Sequence, residues 1–353
     1  MSREAKTDSC ESQGFETRIG SMSVAKVPRY KKTRIWEKLR GSWLGEAVRG
    51  YRGLKRELLA WWRCPDVAMP SVGQLSESLA ILQPGLFQET AGQDNEAPIF
   101  LLSTGWRAGS TLLQRILITD PRLLLWGEPL GEMTIVSKIA EMVSHFISPR
   151  NLQLWKDQPD PSSPALSTSW VANLYPEAND FRLALRRFLD QWLREPAWQR
   201  GFSRWGFKEV RFGATEASLL HWLYPNAKFV IISRHPYDCY QSLASWDQEV
   251  YHRYPDVRVD TAAGFAKQWN CLALSWSQLP AALPCVHLKY EDLIAGRVNF
   301  RELESWLDIE IKENVALSTS VGATAKGGRL SWYERMIIAR EASEGMRALG
   351  YEK

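Results

Sequence analysis

Cysteine is scarce and shows no pairing pattern: the five (Cys10, Cys64, Cys239, Cys271, Cys285) are odd in number, scattered, and form no Cys-x-x-Cys. That argues against a disulfide framework or a cysteine-built zinc site and fits a reducing compartment. No apolar run approaches the roughly 18–20 residues of a membrane-spanning helix. The first residues, MSREAKTDSCESQ, contain no apolar stretch of the kind a secretory signal needs. Charge of one sign is not in large excess either, since 44 Lys and Arg against 40 Asp and Glu leave +4, too mild to point to nucleic acid. No internal repeat is visible. With 45% hydrophobic and 24% charged residues, the chain is neither disordered nor collagen-like. These absences predict a soluble cytoplasmic protein of one large domain, or one domain with an appended segment.

What is present is uneven. Residues 1–25 are polar and read as a loose tail. Residues 26–63 carry twelve Lys/Arg and three Glu, a local +9 that leaves the rest of the chain net acidic by five (+4 − 9). Their apolar residues recur at three- and four-residue steps, from Ile35 and Trp36 to Leu58 and Leu59, predicting a basic amphipathic helix. Such a helix either packs on the main domain with a solvated outer face or lies on an anionic membrane surface. The turn-rich stretch 84–97 sets a boundary, giving a basic extension over 1–95 and a main domain over 96–353.

From Pro98 the pattern becomes short apolar runs separated by helical stretches. Strands are predicted at Ile99–Ser103, Trp205–Glu209, Lys228–Ser233 and Cys285–Tyr290, with a strand-like run at Leu123–Trp126. Helices are predicted at Ser110–Ile118, Thr215–Trp222, Tyr237–Ser245, Asn299–Leu307 and Ser331–Ala348. A helical insertion occupies about 132–200, with helices at Met133–Phe146 and Asp180–Trp192. The alternation predicts an α/β fold with a central parallel sheet flanked by helices.

Two stretches carry chemistry. In the first, strand 99–103 runs into Thr104-Gly-Trp-Arg-Ala-Gly-Ser-Thr111 and then a helix. Backbone N–H groups at a helix start make an anion site, small residues let a phosphate approach, and Arg107, Ser110 and Thr111 add side-chain donors. It is not a Walker A loop, because Gly105 and Gly109 enclose three residues and no Lys follows. In the second, strand 228–233 delivers Arg234, Pro236 opens a helix, and Ser242 follows two turns on. Ligands of open parallel sheets sit beyond the carboxyl ends of the strands. Arg107 and Arg234 therefore converge on one crevice suited to a ligand with two separated phosphates.

These stretches resemble the sulfotransferases that use 3′-phosphoadenylyl sulfate (PAPS). Thr104–Thr111 is similar to their 5′-phosphosulfate loop, and Ser233–Ser242 to the motif whose Arg and Ser hold the 3′-phosphate. Further matches are Gly127-Glu-Pro-Leu130, Phe207-Lys-Glu-Val-Arg211, Lys289-Tyr-Glu-Asp-Leu293 and Ala348-Leu-Gly-Tyr351, the first two leaning to the bacterial and carbohydrate-type branch. Trp106 and Arg107 depart from the Pro or small residue and the Lys of other branches. The resemblance implies a P-loop-like three-layer fold, PAPS as sulfuryl donor, PAP as product and no metal. It implies donor contacts from Trp106, Arg107, Ala108, Gly109, Ser110, Thr111, Arg234 and Ser242, with Lys326 and Arg329 from a basic Gly-containing loop.

For the reaction, Arg107 is the expected stabiliser of the leaving oxygens and Lys208 a cation for phosphate or sulfate. Glu128 is the expected base, with Glu132, Glu209 and His235 as competitors. The segment 290–293 is expected to buttress the site. Tryptophans, 17 in all, are mostly core, with Trp155, Trp170, Trp192, Trp198 and Trp205 as candidates for a platform on which a sugar stacks. The acceptor is open among sugar, polyketide, peptide and lipid hydroxyls, with a glycan or other small natural-product alcohol as the expectation. Two other readings stand beside this: a nucleotide-dependent kinase, and a non-catalytic PAP-binding adaptor.

Overall fold

The computed structural model describes residues 43–63, 72–82, 97–129, 135–144, 158–244, 259–312 and 329–351. The chain divides into two compact units, 1–52 and 53–353. At its centre lie five strands, β1 (Ile99–Ser103), β2 (Leu123–Trp126), β3 (Arg204–Glu209), β4 (Lys228–Ser233) and β5 (Cys285–Lys289). They run parallel in the order β2-β3-β1-β4-β5.

The alternation of side chains across a strand explains why β1 and β4 are apolar without interruption. Phe100, Leu102, Phe229 and Ile231 feed the core on one face, and Ile99, Leu101, Val230 and Ile232 feed the core on the other. The first face is covered by α2 (Val72–Leu82), α4 (Ile135–Ser144), α5 (Ala178–Leu189) and α7 (Ala214–Leu223), and the second by α3 (Ser110–Leu117) and α11 (Phe300–Leu307). On β3, opposite Ile99, Gly206 is required sterically, because a Cβ there would fall 1.8 Å from the Ile99 carbonyl oxygen.

A third core cluster joins α8 (Pro236–Ala244), α9 (Ala262–Trp276), α12 (Trp332–Glu341) and α13 (Ser343–Ala348). The sequence gives no warning of α9. It is buried on most sides, so it lacks the polar stripe that marks an amphipathic helix. Its start is capped by Thr261, whose hydroxyl accepts from Gly264 N at 3.1 Å. The single helix expected over 331–348 breaks at Ala342. Asn270 Oδ1 accepts Gly345 N at 2.7 Å and so takes that donor out of the helical ladder.

The insertion departs from expectation in a similar way. After α5 the chain makes a π-helical turn, Asp190–Arg194, before α6 (Glu195–Gln199). Pro196 in the first turn of α6 offers no N–H to the ladder, which dislocates the preceding turn. The basic helix, α1, is described over Trp43–Arg63; the part predicted over 26–42, the tail 1–25 and most of the 84–97 boundary lie outside the described residues.

Candidate active site

The carboxyl ends of β1 and β4 meet at the centre of the sheet. From β1, whose end is held to β4 by Thr104 N donating to Ile232 O at 3.1 Å, the chain turns through a loop of alternating backbone sign. Gly105, Arg107 and Gly109 have φ of 119°, 66° and 92°, while the residues between them do not. Such alternation turns successive N–H groups toward one concavity, a nest for an anion. Gly109 then enters α3 with no side-chain cap, so the helix start keeps its N–H groups for a ligand. Ser110 is buried and Thr111 exposed at this start.

Arg107 is a non-glycine residue in the left-handed region, a backbone strain of about 1–2 kcal/mol. The strain aims its side chain across the crevice, where Nε donates to Ser242 Oγ on α8 at 2.9 Å. Arg234, at the end of β4, donates from Nη1 to the Arg107 carbonyl at 3.2 Å. Its guanidinium lies 4.4 Å from the Tyr290 ring centroid, and Trp269 Nε1 holds its carbonyl at 3.2 Å. The Arg234 Nε and the Thr104 hydroxyl are buried with no hydrogen-bond partner among the described residues. Arg107, Ser242 and Arg234 are thus brought together, as their strands predicted.

The Tyr290 ring fills the space a side chain at Gly109 would need. A Cβ there would lie 2.2 Å from the ring. Gly109→Ala is therefore expected to lower stability by about 2–4 kcal/mol, from the left-handed backbone plus overpacking, read as a shift in the urea midpoint. It should also displace the Arg234 guanidinium, because the ring also lies against it.

Behind Arg234, Glu291 accepts from His235 N at 2.8 Å and from the Tyr351 hydroxyl at 3.2 Å, and that hydroxyl also lies 3.0 Å from Ser233 Oγ. Burial raises the Tyr351 phenol, keeping it protonated as a donor. The 290–293 segment thus fastens the second motif. His235 Nδ1 accepts from Tyr237 N at 3.3 Å, a structural bond.

A second pair sits one strand away. Glu128 follows β2, and Lys208 lies on β3 opposite Leu101 of β1. Lys208 Nζ donates to Glu128 Oε1 at 2.5 Å, with the lysine side chain 7% and the glutamate 27% exposed. Gln114 of α3 donates to the carbonyls of Leu125 and Trp126 at 2.9 and 3.2 Å, and so ties the end of β2 to the helix that starts at the loop. Glu209, the competing carboxylate, is wholly buried and held by Val210 N and Arg211. Burial raises its carboxyl, with Arg211 opposing. Both its oxygens are thus engaged within the protein.

Trp106 and Ala108 belong to the third core cluster, so the indole anchors the loop and only its backbone is left for a ligand. Arg329 is exposed ahead of α12, and Lys326 and Glu132 lie outside the described residues. Of the tryptophans expected to offer a sugar platform, Trp205 is corrected, being 1% exposed in the core, while Trp170 and Trp198 stand 74% and 39% exposed. Trp155 lies outside the described residues. Gln114 was not singled out in the sequence, and Thr104, Tyr290 and Tyr351 stand there only within longer motifs, because their individual roles come from partners far along the chain.

The profile of the Sulfotransferase family matches residues 98–313, which include both arginine motifs and the Glu128–Lys208 pair. The chain belongs to the sulfotransferase family. Among solved structures, this sulfotransferase is similar to the sulfotransferase domain of the Synechococcus PCC 7002 olefin synthase, at 17% identity over 75% of this chain and 98% of that one, TM-score 0.38. It is also similar to sulfotransferase STF1 of Mycobacterium tuberculosis H37Rv, at 16% identity over 77% and 84%, TM-score 0.35. A third is a sulfotransferase from Alicyclobacillus acidocaldarius, at 14% identity over 72% and 97%, TM-score 0.33. No curated protein matches the chain. The family assignment rests on the profile match. The P-loop-like arrangement of β1, loop and α3 in a three-layer parallel fold accords with it.

Proposed function

We propose that this sulfotransferase moves the sulfuryl group from PAPS to a hydroxyl of a carbohydrate or other natural-product alcohol. The observation that carries the reading is the meeting of Arg107, Ser242 and Arg234 at the ends of β1 and β4. The residues fit a doubly anionic nucleotide. The loop nest and uncapped α3 suit a 5′-phosphate, Arg234 and Ser242 suit a 3′-phosphate, and two buried donor groups, Thr104 Oγ1 and Arg234 Nε, await partners.

In this reading Glu128 takes the acceptor's hydroxyl proton as the new O–S bond forms and the S–O bond to the leaving phosphate breaks. Lys208 holds Glu128 Oε1, which leaves Oε2 for the acceptor. Arg107 balances the negative charge on the leaving oxygens; as a permanent cation it does not supply their proton. The loop and the two pairs hold the acceptor and donor in line, the main demand of such a transfer.

Calorimetric titration with adenosine 3′,5′-bisphosphate is expected to show one site of micromolar affinity. The absence of heat would falsify the reading. Labelled sulfate from PAPS should then appear on members of a panel of glycans and small alcohols. It should do so undiminished in EDTA, whereas a kinase acting through Mg²⁺ would stop. Tight PAP binding with no transfer to any acceptor would favour the adaptor reading.

A further inference from the structure

Helix α1 has an outer face that sulfuryl transfer does not use. From Gly53 onward its inner side is tied to the larger unit. Glu57, wholly buried, accepts from Ala262 N at 2.8 Å at the start of α9, and Trp61 Nε1 donates to Glu341 at 2.8 Å. On the other side Leu58 and Leu59 are 41% and 42% exposed and Trp62 82%. At about 100° per residue, Lys55, Leu58, Leu59 and Trp62 fall in a sector of about 100° facing away from Glu57.

The charge on this face is of one sign. Glu57 is the single acid of residues 53–63 and points inward, where its Oε1 also accepts from Arg56 Nη2 at 2.9 Å; the exposed groups beside the apolar strip are Lys55 and Arg56, the latter still 59% exposed despite that pair. The sequence leading into the helix, 26–42, adds seven Lys/Arg against Glu37. A solvated helix would place polar residues where Leu58, Leu59 and Trp62 stand. Leucines and a tryptophan flanked by cations, with no anion among them, fit the headgroup level of a bilayer, where the indole spans the apolar and wet layers and the cations meet acidic lipids. No helix among the described residues is long and apolar enough to cross a membrane.

We propose that the outer face of α1 docks the enzyme peripherally on an anionic lipid surface, with Leu58, Leu59 and Trp62 entering the interface and Lys55 and Arg56 pairing with acidic headgroups. The proposal stands apart from the transfer reaction and does not depend on it.

The full-length protein is to be sedimented with vesicles of phosphatidylcholine alone and with about one-third phosphatidylserine. Binding is expected with the anionic vesicles and should fall steeply as salt is raised. The double substitution Leu58→Ser, Trp62→Ser should reduce it on the order of tenfold or more. Lys55→Glu should reduce it on the order of tenfold. Both variants should keep the wild-type melting temperature and PAP affinity, which shows that the fold survives. Equal binding to neutral and anionic vesicles would overturn the proposal, as would full binding by the double variant, which would assign the attraction to 26–42 alone. A wild-type dimer in solution that the double variant converts to monomer would also overturn it, since the face would then be covered by a second copy.

Discussion

Arg107→Ala is expected to lower kcat by about 10²–10³, the usual effect of deleting one preorganised donor at developing negative charge. The side chain meets Ser242 at 2.9 Å and its carbonyl meets Arg234 at 3.2 Å, so both motifs of the crevice meet at this residue. A general loss of folding would mimic such a result, and Arg107→Gly separates the two. Glycine relieves a left-handed strain of about 1–2 kcal/mol. It loses the hydrogen bond to Ser242, of about 1 kcal/mol, and adds about 0.5–1 kcal/mol of chain entropy to the unfolded state. The terms nearly cancel. The glycine variant should therefore unfold within about 1 kcal/mol of wild type in urea while its transfer rate collapses with that of the alanine variant. A glycine variant that transfers sulfate at the wild-type rate would remove Arg107 from the chemistry.

Glu128→Gln should lower kcat by about 10²–10⁴, the range spanned by general acid–base catalysis. The amide keeps the shape of the carboxyl group and still offers an oxygen to Lys208, but it cannot take a proton. PAP affinity should stay close to wild type, because Glu128 pairs with Lys208, on β3, and not with the Arg107–Ser242–Arg234 group. Full activity in Glu128→Gln would send the search for the base elsewhere among the groups around the crevice.

The parallel sheet was legible because β1 and β4 are apolar at consecutive positions, which only a strand buried on both faces requires. The crevice was legible for a related reason: each basic residue follows its strand directly, and strand ends in such sheets are where ligands gather. What could not be read was whatever depends on a partner remote in the chain. Helix α9 hides among apolar residues on most sides, and the break after α12 is imposed by Asn270, 75 positions upstream of Gly345. The indole of Trp106 reads like a ligand contact within its loop, yet the third core cluster claims it. Trp205 is a platform candidate by residue type alone, whereas the covering helices leave it 1% exposed.

The Tyr351 hydroxyl reaches back to Ser233, 118 residues earlier, and to Glu291. During synthesis at about 5–20 residues per second, Arg234 therefore waits roughly 6–24 s before the tyrosine that braces its strand has even been made. A ribosome-bound chain arrested between these points would display both arginines while the end of β4 still lacked its brace.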